Sequence, residues 1–110
     1  MIHIKRNDTR PVATATIKRG GVPVSLADAV HVLFKMRHET LTDLKVNALG
    51  VITDAPNGEV EYRWLVGDTS LTGRFFAEWE VLWNDGTTET FPTLSHDFVF
   101  VWSDLDGGKI

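Results

Sequence analysis

Gly73 to Pro92, GRFFAEWEVLWNDGTTETFP, is the stretch whose reading decides the fold. Phe75, Ala77, Trp79, Val81 and Trp83 fall on one parity, and Arg74, Phe76, Glu78, Glu80 and Leu82 on the other. Side chains alternate across a strand, so the first set forms an apolar face and the second a largely polar one. Asn84-Asp85-Gly86 then supplies an Asp-Gly turn suited to the positive φ angles of a tight hairpin, and a second strand, Thr87 to Phe91, follows. The reading is a long antiparallel hairpin laid over a core.

The same alternation recurs on both sides of it. Ile2 and Ile4 make a short first strand, and Ala13, Ala15 and Ile17 alternate with Thr14, Thr16 and Lys18 in a second. Val22-Pro23-Val24 reads as an edge piece, where the missing proline N–H is tolerated, and Ser25 to Ala29 as one helical turn capped by Ser25. Val30, Val32, Phe34 and Met36 oppose His31, Leu33, Lys35 and Arg37. Val46 to Thr53 is a strand interrupted by Gly50, with no inner face chosen by its residues. Ala55-Pro56-Asn57-Gly58 is a turn. Val60, Tyr62 and Trp64 alternate with Glu59, Glu61 and Arg63, and a last strand runs from Asp97 to Trp102. Gly67 to Gly73 is a connection with an Asp cap and one helical turn. Turn signals every 8 to 12 residues or so between short strands predict an all-β fold. The expected form is an immunoglobulin-like antiparallel β-sandwich of about seven strands, with a small closed barrel as the alternative. Residues 1–103 form the domain and 104–110 a flexible C-terminal tail.

Bulk properties bound the function. The 110 residues make one domain, and area scaling for this mass leaves about two-thirds of the unfolded surface buried, enough for a core without staples. The absence of cysteine excludes disulfides and thiolate metal sites. No apolar run approaches the roughly 20 residues of a membrane span, and the first ten residues lack the apolar stretch of a secretion signal. Synthesis as a soluble cytoplasmic protein without membrane insertion is expected. The net charge of −4 argues against nucleic acid as a partner. Residues 1–38 carry seven Lys/Arg and two acids, whereas residues 39–110 carry four and thirteen, which would give opposite-signed patches if the two segments stayed apart.

Motifs for chemistry are missing. His3, His31, His38 and His96 show none of the short spacings that place two imidazoles on one metal. Ser95-His96-Asp97 has triad composition, but consecutive residues cannot adopt relay geometry; His96-Asp97 reads as a surface hydrogen-bonding pair. Glu78, Glu80 and Glu89 read as carboxylates sharing one exposed face across the hairpin rather than flanking a cleft. Asp54, Asp68, Asp85 and Asp104 sit in turns without a compact calcium-loop pattern. No catalytic, cofactor-binding or metal-binding residue is assigned. Phe76, Trp83 and Trp102 are aromatics expected outside the core, able to stack on sugars or bury at a subunit contact. Phe76, Leu82 and Leu33 are the interface candidates, being apolar on otherwise polar faces.

A series of pieces follows in order. They are Asp8-Thr9 with Pro11, Gly21-x-Pro23-Val24-x-Leu26, Val32-x-Phe34-x-Met36-Arg37, Gly58-x-Val60-x-Tyr62-x-Trp64, Gly67-Asp68-Thr69, and Gly73 to Pro92. In this order and spacing, over about residues 2 to 102, the chain resembles the immunoglobulin-like N-terminal domain of phage baseplate upper proteins. The resemblance implies a virion structural protein of the tail or baseplate, made in the host cytoplasm and oligomeric in the particle. Its partners would be other phage structural proteins. The chain ends where larger members continue, which favours an adaptor or decoration subunit over direct host binding. The motif residues look architectural, so the resemblance transfers no catalytic residue. A carbohydrate-binding module for host-surface adhesion, and a capsid decoration or head-fibre subunit, are the alternatives.

Overall fold

The computed structural model describes residues 1–92 and 96–105. Among these residues eleven strands form in chain order: β1 (Ile2–Lys5), β2 (Ala13–Thr16), β3 (Lys18–Arg19), β4 (Val22–Pro23), β5 (Ala29–His38), β6 (Val46–Leu49), β7 (Val51–Asp54), β8 (Glu59–Tyr62), β9 (Gly73–Trp83), β10 (Thr88–Phe91) and β11 (Asp97–Trp102). The larger sheet has the order β1-β11-β9-β5-β6, with β10 also paired to β9, and the smaller has β2-β8-β7. β3 and β4 make a two-stranded ribbon. Aligning β2, β5, β7, β8 and β9 with strands B, C, D, E and F gives the immunoglobulin arrangement, with β10 and β11 together as the last strand. The fold is therefore an all-β sandwich. It departs from a purely antiparallel one in that β1 runs parallel to β11, with Ile2 opposite Val99 and Lys5 opposite Trp102.

β9 is the central strand, and its alternation sets the core. Phe75, Ala77, Trp79 and Val81 are buried, as are Val32, Phe34 and Met36 on β5, Val99 and Val101 on β11, and Ala13, Val60 and Tyr62 from the smaller sheet. Phe34 sits at the centre, with ring centroids 4.9 Å from Tyr62, 4.8 Å from Trp79 and 5.7 Å from Trp64. Offset and edge-on pairs of this kind contribute about 0.5–1.5 kcal/mol each beyond area burial.

Several details differ from expectation. Val30 is 60% exposed, because a register shift between Ala29 and His31 turns it out of the face that Val32 begins. Ser25 caps no helix; its hydroxyl accepts the Ala27 N–H at 3.3 Å in a local turn. Gly67 to Ser70 is likewise a turn, fixed by Asp68, while the Ala55–Asn57 turn closes as a single 3-10 turn. Val46 to Thr53 faces no single sheet: β6 pairs with β5 in the larger sheet and β7 with β8 in the smaller. Gly50 is the crossing point. A Cβ there would lie 3.1 Å from the Glu61 carbonyl oxygen and 3.2 Å from both Trp79 and Val32 side-chain carbons. Residues 106 to 110, the bulk of the expected tail, lie outside the described residues, as does Ser95.

Candidate functional site

On the outer face of the larger sheet, alternation that buries Val99 and Val101 turns Phe98, Phe100 and Trp102 outward. β1 lies beside β11, so His3 stands among them, its ring stacked at 5.1 Å and 11° on Phe100 and at 6.0 Å and 14° on Trp102. Trp102 Nε1–H donates to His3 Nδ1 at 3.0 Å, which fixes that nitrogen as the acceptor. Phe98 lies 6.5 Å from Phe100 and 5.9 Å from Phe76 on β9, and His96 packs on Phe76 at 3.9 Å. The result is a ladder of six rings crossing three strands.

Two guanidiniums border the ladder. Arg74 lies 5.1 Å from the Phe98 ring centroid and Arg37 lies 5.2 Å from that of Phe76. Each such contact is worth about 0.5–1 kcal/mol at an exposed site. Both are also held from behind: Arg74 Nε donates to Glu39 Oε2 at 2.6 Å, and Arg37 to the Leu41 carbonyl at 2.8 Å. Beyond Phe76 a charged band follows, in which Lys35 and Glu80 pair at 3.0 Å.

The three interface candidates separate on this face. Phe76 is within the ladder. Leu33 and Leu82 lie across the charged band, where the register sets Leu33 beside Leu49, itself 62% exposed, and Leu82 beside His31. All three are half-buried. Trp102 is outside the core as expected, at 52% exposure. Trp83 is not; it has the inward parity of β9, packs on the core, and donates from Nε1 to Glu89 Oε1 at 3.2 Å. Phe98 and Phe100 were missed because Phe98 to Trp102 is apolar at every position and offers no parity contrast.

The carboxylates also regroup. Glu89 is opposite Val81 in the β9–β10 register, so it takes the inward parity, away from Glu78 and Glu80. There it receives Arg19 through two bonds of 3.0 and 2.6 Å, tying the β3–β4 ribbon to the hairpin. Hydrogen bonding from Arg19 holds the Glu89 carboxyl below its usual range. Asp97 pairs with the N-terminal ammonium at 3.3 Å rather than with His96. Among the described residues, no three His, Asp or Glu side chains gather in a way that could hold a metal ion, and no helix is long and apolar enough to cross a membrane.

Most residues of the sequence motifs are architectural, whereas Arg37 and Phe76 belong to the outer-face ladder. Val32, Phe34, Met36, Val60, Tyr62, Trp64, Phe75, Ala77, Trp79 and Val81 are core, and Gly58 holds a left-handed turn. No protein-family model matches the chain, and no curated protein matches it.

Proposed function

We propose that this chain is a structural module of a tailed-phage or prophage virion, acting in the tail or baseplate by docking the outer face of its larger sheet against a neighbouring virion protein. The observation that carries the docking role is the ladder of His3, Trp102, Phe100, Phe98, Phe76 and His96 with Arg37 and Arg74 at its border. Aromatic and arginine side chains are the residue types that dominate the binding energy of protein interfaces. The resemblance of its motif order to that of baseplate upper proteins supports the virion setting.

The ladder's stacking favours a protein partner over a sugar. Arg37 and Arg74 already lie over the Phe76 and Phe98 rings, and His96 packs on Phe76. A sugar platform uses open ring faces. An assembly contact needs instead an apolar, shape-fitting patch of roughly 800 Å² on each partner.

The test is incorporation into particles. The wild-type chain is expected in purified tails or virions of the phage that encodes it. The double substitution Phe98→Glu with Phe100→Glu is expected to leave the far-ultraviolet circular dichroism unchanged and to abolish incorporation. Absence of the wild-type chain from purified particles, or full incorporation of the double variant, rejects the proposal.

A further inference from the structure

The smaller sheet stops at β2. Among the described residues no strand pairs with its second edge. Immunoglobulin constant-type sandwiches place their first strand there, beside the second; here the first strand, β1, pairs with β11 in the opposite sheet. Along this free edge runs a cleft of about 380 Å³ lined by Ala15, Thr16, Ile17 and Lys18 on one side and Phe91, Pro92, His96 and Asp97 on the other. Inward residues (Ala15, Ile17) and outward residues (Thr16, Lys18) both line it, so the cleft follows the edge of the strand and not one of its faces. The volume is within the roughly 300–1,000 Å³ of ligand clefts.

Trp79 forms part of the wall. It is 2% exposed, and its Nε1–H is buried with no acceptor among the described residues. The far end of the indole is lodged against the Gly50 crossing, its Cζ3 within 3.2 Å of where a Cβ would stand, so the ring cannot slide that way to find a partner. A buried donor without an acceptor costs about 1–3 kcal/mol, and an occupant that brings an oxygen there relieves that cost.

We infer that the β2 edge is a strand-acceptor groove. It takes an extended segment of a partner polypeptide, which pairs with β2 through its backbone and points alternate side chains into the cleft. The central inward side chain carries an oxygen acceptor (Ser, Thr or Asn) for Trp79 Nε1–H, and the inward residues on either side are apolar, against Ile17 and Phe91. Edge addition of this kind draws affinity from main-chain hydrogen bonds and specificity from alternate side chains. The inference goes beyond the docking face already described and shares only His96 with it.

The test tethers the occupant. Met1 lies 3.3 Å from the Asp97 carboxylate at the rim of the cleft, so a six-residue segment joined ahead of Met1 by a Gly/Ser linker reaches the groove at an effective concentration in the millimolar range. The segment has Val, Ser and Val at its inward positions and Lys or Thr between them. The comparison is the same fusion with two prolines in the segment. Expected results are a thermal midpoint higher by roughly 5 °C, slowed amide exchange along Ala13 to Thr16, and a downfield shift of the Trp79 indole proton. In Trp79→Phe the advantage of a central Ser over a central Val disappears while edge pairing persists. No difference between the two fusions in any of these readouts overturns the inference. All are read on the isolated protein, so failure here is distinct from failure of particle incorporation.

Discussion

Tyr62 and Asp68 hold the connection that leads from β8 into β9. The Tyr62 hydroxyl donates to Asp68 Oδ2 at 2.6 Å, and the same oxygen accepts the Leu65 N–H at 2.9 Å. Burial first, and the bond to Asp68 second, push the Tyr62 hydroxyl well above its usual pKa of about 10. Tyr62→Phe is expected to lower stability by about 1–3 kcal/mol in urea denaturation. The sign in alkali follows from linkage: above the unfolded pKa the unfolded chain loses a proton that the folded chain keeps, so wild-type stability falls as pH rises past about 10. Tyr62→Phe should flatten that fall. Gly58 makes a second prediction at this scale. Its φ is +70°, and an added Cβ would lie 2.5 Å from the Val24 carbonyl oxygen, so Gly58→Ala should cost about 2–4 kcal/mol. Retention of wild-type stability would contradict the close approach of those two backbones.

Among the elements, β9 was readable in sequence because its polar and apolar parities differ, and β8 for the same reason, whereas β11 stood out only as a short apolar run. What could not be read was pairing. Glu89 shares the parity of the buried Phe91, a signal the exposed-face reading passed over, and the β9–β10 register sets it beside Trp83 and Arg19. Gly50 was visible as an interruption, but its meaning as a transfer between sheets depends on Trp79 and Glu61, distant in the chain. The β5 bulge at Val30 was likewise invisible, because an inserted residue looks like any other until its partner strand is known. The Glu89–Arg19 joint gives a prediction for its own element. Glu89→Ala should speed amide exchange in the β3–β4 ribbon and leave that of β9 unchanged. Since the Glu89 carboxyl is held low, its contribution is present above the unfolded value of about 4.3 and lost as pH falls below it, so wild-type ribbon exchange, taken relative to the intrinsic amide rate at each pH, should quicken only in acid. Equal quickening in the variant would detach the effect from Glu89.

Over the whole molecule, the charge imbalance between the two ends of the sequence is blended by the fold. Lys5, Lys35 and Arg37 share the larger sheet's outer face with Glu78 and Glu80, because β1, β5 and β9 belong to one sheet. The outer side of the smaller sheet shows Thr14, Thr16, Glu59 and Glu61 instead. The proposed docking face was half legible: Phe76 and Trp102 stood out by parity or position, but the ladder that joins them exists only once β11 lies beside β9, and His3 enters it only because β1 lies beside β11. That parallel neighbour relation has a mechanical consequence. Tension applied through Met1 and Ser103 pulls two adjacent, like-directed strands in opposite senses along their length, so their cross-links must rupture together in shear and cannot peel one at a time. A subunit gripped at those two points would resist extension during a sudden contraction or impact far better than one pulled from the two arms of its β9–β10 hairpin.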